Sequence, residues 1–203
     1  MKFFYVDETG FNLNTTRRVA RAERGHQAIV QYAQSRGTNI SVCACINNEL
    51  GLVYYNYKCG SYKCEDFISF LDEMNLCIYD LDIPYPTLVM DNCSMRVEDE
   101  IARWCQETGW DYVFLPPNSP MLNPIEECFL VLKNEIKRLL TGEYNQRRIN
   151  IAYLPWGQKN IQRINLLEEV LRRAIPSVTP EVVEGCFNHM MNFLPKCILF
   201  EDI

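Results

Sequence analysis

Three carboxylates stand where a chain could bring acids together to do chemistry. Asp7 follows the apolar run Phe3-Phe4-Tyr5-Val6, and Asp91 follows Thr87-Leu88-Val89-Met90. Glu126 comes three residues after Asn123, behind the proline-studded stretch Pro117-Asn118-Ser119-Pro120-Met121-Leu122-Asn123-Pro124. Acids gathered without basic partners repel one another unless cations share them. A site with only oxygen donors suits magnesium or manganese. Two such ions roughly 3.5–4 Å apart clamp the attacking and leaving oxygens of an in-line phosphoryl displacement. The chemistry these residues suggest is therefore metal-dependent cutting or joining of a phosphodiester.

Each acid needs an element to position it. Asp7 and Asp91 each end a short apolar strand, and strand ends at one edge of a sheet are where ligands settle. Glu126 falls in the first turn of a helix that Asn123 can cap and Pro124 can open. That helix continues through Phe129, Leu132, Ile136 and Leu139, an apolar face at spacings of three and four. Glu126 lies off this face, on a stripe with Lys133 and Lys137. Taken alone, Asn123-x-x-Glu126 reads as a capping box that only ties off its own helix; the two aspartates shift the reading toward a site.

The remaining pattern supplies a scaffold. Strands are expected over Gln27–Ala33, Ile40–Ile46, Gly51–Tyr57 and Tyr112–Leu115. Helices are expected over Cys64–Leu81, Val97–Thr108, Asn160–Ala174 and Pro180–Leu194, with a break from Gly142 to Gln158. Early strands in series imply antiparallel pairing, and later alternation implies parallel crossovers. The expected fold is α/β, a mixed sheet with helices on both faces.

Composition bounds the rest. With 203 residues and 48% hydrophobic content, one folded domain with a sizeable core is expected. No apolar run approaches a membrane span, and the N-terminus does not read as a signal peptide. The ten cysteines match no zinc pattern, and only His26 and His189 are present, both read as structural. Buried reduced thiols fit a protein that is not secreted, in the nucleus of a eukaryotic cell or otherwise in the cytoplasm. The net charge of −6 argues against a strong nucleic-acid binder overall, yet Arg17, Arg18, Arg21 and Arg24 form a local basic run suited to phosphate. Glu8 should point away from Asp7, Glu127 should be solvated, and Trp104 and Trp110 should be core or rim aromatics.

Four stretches carry a family likeness. Val6-Asp7-Glu8-Thr9-Gly10-Phe11 and Leu88-Val89-Met90-Asp91-Asn92 resemble the first two acidic segments of the mariner superfamily of DNA transposases. Ser119-Pro120-Met121-Leu122-Asn123-Pro124-Ile125-Glu126 is similar to that family's third. Thirty-four residues separate Asp91 from Glu126, as in its glutamate branch, and Ile175–Cys197 resembles its closing helical segment. The resemblance implies a ribonuclease H-like fold and a catalytic, metal-binding triad of Asp7, Asp91 and Glu126 holding two Mg²⁺ or Mn²⁺ ions. It implies cleavage of transposon ends and strand transfer into target DNA. Asn92 and Asn123 would be positioning residues, and Arg96, Lys133, Lys137, Arg17 and Arg18 would be DNA contacts. Arg96 stands where the family carries a histidine, and arginine can grip a phosphate bidentately.

The expected organisation is a single catalytic domain over 1–203, with 145–203 a C-terminal helical extension and no N-terminal helix-turn-helix region. The expected partners are inverted-repeat ends and target DNA; a homodimer is compatible with this, and no membrane is involved. Two rival readings are a catalytically silent or co-opted remnant that binds DNA or protein, and a simpler nuclease using the same three acids.

Overall fold

The computed structural model describes residues 2–15, 22–27, 39–81, 83–91, 95–142, 147 and 153–199. Five strands form one mixed sheet: β1 (Lys2–Phe11), β2 (Ile40–Asn47), β3 (Gly51–Cys59), β4 (Pro86–Met90) and β5 (Asp111–Phe114). Their order is β3-β2-β1-β4-β5. The first three strands pair antiparallel, whereas β4 pairs parallel with β1, and β5 parallel with β4. The serial early strands and the later strand–helix alternation thus have the pairings expected of them.

Helices among the described residues follow the apolar periodicity: α1 (Cys64–Ile78), α2 (Met95–Thr108), α3 (Pro124–Thr141), α4 (Trp156–Ala174), α5 (Pro180–Met191) and α6 (Leu194–Leu199). Alternation along the strands divides the core in two. Phe4, Val6, Cys43, Cys45, Leu88 and Met90 face α1 and α2. Tyr5, Val42, Ala44, Ile46 and Val89 face α3, α4 and α5. Covered on both faces, β2 is buried along its whole length, as a central strand requires. Trp104 and Trp110 bury their rings, 5% and 6% exposed, and their indole N–H groups donate to Asp72 at 2.8 Å and Asn75 at 2.9 Å on α1. Both tryptophans are thus core residues whose single polar atom is satisfied.

Three elements differ from expectation. β1 does not stop at Asp7-Glu8; its pairing with β2 continues to Phe11 opposite Ile40, so Asp7 sits mid-strand. α4 begins at Trp156, directly after Pro155, and not at Asn160. The last expected helix, α5, ends at Met191, four residues before Pro195, which lacks the N–H that would continue it, and a further short helix, α6, follows from Leu194. The strand expected over Gln27–Ala33 lies outside the described residues, apart from Gln27. Among the described residues no helix is long and apolar enough to cross a membrane, and the nine described cysteines are free thiols.

The α3 face is the main seat of the larger core. Leu132→Ala empties a fully buried position there and is expected to cost about 2–5 kcal/mol, read by urea unfolding. A loss below about 1 kcal/mol would mean that α3 does not seat on the sheet as described.

Candidate active site

The parallel pairing of β1 with β4 fixes the first two acids. Tyr5 lies opposite Val89; two residues further along each strand come Asp7 and Asp91, level with each other and on the same sheet face. That face is the one covered by α3. Asp91 is exposed, one residue past the end of β4, while Asp7 is half-buried because β1 runs on beside β2.

The third acid arrives through the proline-rich loop. Asn118 takes a left-handed conformation at φ 59°, which asparagine tolerates, and one turn of 3₁₀ helix over Pro120–Leu122 leads into α3. Pro124 occupies the first helical position, as expected. Asn123 does precede the helix, but its side chain does not cap it. Its Nδ2 donates instead to Asp7 Oδ2 at 2.8 Å. Asn123 is 2% exposed, and its Oδ1 has no hydrogen-bond partner. A buried unpaired carbonyl costs about 1–3 kcal/mol, so this asparagine gives up stability to aim a donor at Asp7. The backbone N–H of Glu8 donates to the other oxygen, Asp7 Oδ1, at 2.7 Å.

Asp7 is thus fixed at both oxygens. Burial pushes its carboxyl up to about 6. The Glu8 N–H opposes this, the negative charges of Glu126 and Asp91 add to it, and the Asn123 amide again opposes it. All three acids therefore share one electrostatic neighbourhood centred on Asp7. The carboxylates of Asp91 and Glu126 form no hydrogen bond or ion pair with the described residues, so these side chains stay free to turn. As placed, no three His, Cys, Asp or Glu side chains among the described residues surround a common metal position. The donor chemistry nevertheless fits a divalent cation: oxygen ligands only, with one member destabilised by the charge of the other two. An open, mostly apolar cavity of about 260 Å³ adjoins Asp7 and Asp91 on the α1 and α2 side, with Val6, Met90, Phe67 and Ile101 in its wall. Glu126 is not part of that wall.

The other expected site residues fall as follows. Lys133 and Lys137 are half-buried along α3, about 10 and 16 Å up the axis from Glu126, and neither forms an ion pair with the described residues. Asn92, Arg17, Arg18 and Arg21 lie outside the described residues, as does the side chain of Arg96, whose backbone opens α2. Arg24 is exposed, and so is His26, in a turn. Glu8 is exposed; its charge is felt by Cys43 and Tyr62, as the face opposite Asp7 predicts. Glu127 is partly exposed, as expected, and its carboxylate also meets His189 Nδ1 on α5. Beneath it, Cys186 of α5 shares a hydrogen bond with the buried Cys128 of α3. These contacts join residues roughly sixty positions apart, and no local pattern announces them.

The family model described as "DDE superfamily endonuclease" matches residues 2–155. Among curated proteins, none matches the chain. Solved structures with a similar fold include the "Mos1 transposase paired-end complex with left transposon end", at TM-score 0.53 and 17% identity, covering 87% of this chain and 55% of that one. The "mariner Mos1 paired end complex with Mg" aligns at TM-score 0.54 and 13% identity, covering 88% and 56%. A "pre-cleavage Mos1 transpososome" aligns at 0.51 and 15%, covering 93% and 55%. The chain spans about half the length of these Mos1 chains. The likeness establishes a ribonuclease H-like α/β fold, with its mixed sheet between two helical layers. With the model matched over most of its length, the chain belongs to the DDE superfamily endonuclease family.

Proposed function

We propose that this chain is the catalytic domain of a mariner-type DNA transposase, a metal-dependent endonuclease that cleaves transposon ends and transfers the freed 3′ strand into target DNA. The observation that carries the reading is the setting of Asp7: level with Asp91 across parallel strands, tied to the start of the Glu126 helix by Asn123, and raised to about 6 by burial and its acidic neighbours. A structural carboxylate is normally paired with a base; this one is held among acids. Asp7, Asp91 and Glu126 would hold Mg²⁺ or Mn²⁺, two ions in the full site. When bound, these ions stabilise the attacking and leaving oxygens of phosphodiester displacement.

The chain's own residues do the rest. Asn123 and the Glu8 N–H orient the Asp7 carboxylate, so one ligand arm is fixed before any cation arrives. Asp91 and Glu126, unrestrained by other partners, turn toward the shared charge. The substrates on this reading are transposon-end and target DNA, with a homodimer bringing two ends together, in the nucleus if the source is eukaryotic. We also read residues 1–203 as one catalytic domain, with 145–203 as its C-terminal helical extension.

Titration calorimetry tests the site directly. Mn²⁺ is expected to bind the wild-type chain, and the heat should vanish in Asp91→Asn. Unchanged affinity in that variant would remove the metal reading and leave the fold as a silent module.

A further inference from the structure

α4 changes character halfway along. From Leu166 onward one face is buried in the core through Leu166, Leu167, Val170, Leu171 and Ala174. Stepping back by three and four residues along the same face gives Arg163, Lys159 and Trp156. None of the first ten residues of the helix is buried. Trp156 is 80% exposed and Tyr153, just before the helix, 82%. The stretch Trp156–Asn165 holds two basic residues and no acid, in a chain of net charge −6. Neither Lys159 nor Arg163 forms an ion pair with the described residues.

The direction of α4 says where this face points. Glu168 acts electrostatically on Cys59 at the carboxyl end of β3. Through Lys58 opposite Ser41 and Ser41 opposite Gly10, that end of β3 is level with the end of β1 beyond Asp7. Past the other end of α4, Ile175 and Val178 border a small void with Ile46 and Leu52, and Pro180 packs against Gly51. α4 therefore descends from the carboxylate end of the sheet to the opposite end. Trp156, twelve residues before Glu168, stands about 18 Å further out along the axis. The inward face of α4 thus continues as an overhang beyond the carboxylate end of the sheet.

We propose that this overhang is a nucleic-acid contact for an unpaired strand, with Trp156 and Tyr153 stacking on bases and Lys159 and Arg163 contacting phosphates. The inference rests on the reading of the carboxylate site as one that cuts DNA. Charge complementarity selects the partner: a cationic segment on an acidic chain attracts a polyanion. The aromatics select its form, since an exposed indole stacks on splayed bases but not on those inside a duplex.

Tryptophan fluorescence is the test, because Trp104 and Trp110 are buried and Trp156 is the exposed one of the three. Adding a single-stranded oligothymidylate is expected to quench the wild-type emission. Trp156→Ala should weaken single-strand binding roughly tenfold and leave duplex binding almost unchanged. Lys159→Ala with Arg163→Ala should lower the single-strand salt slope by about 1.4. Trp156 supports no core contact, so its variant should keep the wild-type circular dichroism. The proposal is overturned if oligothymidylate leaves the emission unquenched or if Trp156→Ala binds the single strand as the wild type does. It is also overturned if Trp156→Ala only dissociates a dimer, which would make the overhang a contact between copies. Mn²⁺-dependent nicking of plasmid DNA by the wild type is measured in parallel. Failure of nicking removes the carboxylate reading, whereas nicking without any effect at Trp156 removes this inference alone.

Discussion

Replacing any one of the three acids, as Asp7→Asn, Asp91→Asn or Glu126→Gln, is expected to lower Mn²⁺-dependent DNA nicking by at least about 10³-fold. Bound ions supply several kcal/mol of charge stabilisation at the transition state, and about 1.4 kcal/mol corresponds to a factor of ten in rate. Asp7 on β1 and Asp91 just past the end of the parallel strand β4 stand level, and Asp7 feels the charges of Asp91 and Glu126. Losing one arm therefore disrupts a shared site and not an isolated ligand. Asn123→Ala should fall between, at about 10–100-fold, the usual cost of losing a residue that orients a metal ligand. Its effect should lie in metal affinity, so raising Mn²⁺ should rescue it in part; the same increase should not rescue Asp91→Asn. Plasmid nicking against Mn²⁺ concentration separates these cases. An acid variant within tenfold of wild type would remove that residue from the triad, and an Asn123→Ala enzyme that ignores the metal concentration would make Asn123 purely structural.

The parts of this site legible in sequence were those with a local signature. Apolar runs leading to Asp, and a helix opened by Pro124 with its stripe at 3.6-residue spacing, are patterns of a few residues, and the charges of Asp91 and Glu126 both act on Asp7 in the structure. What local pattern could not show is pairing. β1 runs past Asp7 because β2 continues beside it to Phe11, and a strand's length depends on its partner as much as on its residues. Asn123 has the position of a cap, but its amide reaches across 116 residues to Asp7. Glu127 looked like a solvated helix acid, and its partner His189 lies on another helix. The overhang of α4 was hidden for the same reason: Trp156, Lys159 and Arg163 share the periodicity of a buried face, and only the end of the sheet decides where burial stops.

The pH dependence of stability tests the crowding of charge at Asp7 without any substrate. Its carboxyl is raised from 3.8 to about 6, chiefly by burial. Between those values the folded chain keeps a proton that the unfolded chain has released. Folding is therefore favoured by this group below about pH 4, and that contribution is lost as pH rises through about 6. A displacement of roughly two pH units corresponds to about 3 kcal/mol at neutral pH. Asp7→Asn cannot ionise. It gives up one acceptor facing either the Glu8 N–H or Asn123, which costs about 1 kcal/mol at every pH. The stability of the variant minus that of the wild type should accordingly rise by about 3 kcal/mol from pH 4 to pH 7, changing sign on the way. For a chain of this size that is a relative shift in Tm of roughly 6–12 °C. Taking the difference cancels every other titrating group that the two proteins share. A divalent cation should act on the wild type alone: millimolar Mg²⁺ at pH 7 relieves the repulsion around Asp7 and raises its Tm, while the variant, lacking that charge, stays where it was. A difference that is flat from pH 4 to 7 would mean that Asp7 is neither dry nor crowded by its acidic neighbours. A Tm rise with Mg²⁺ of equal size in both proteins would place the cation somewhere other than Asp7.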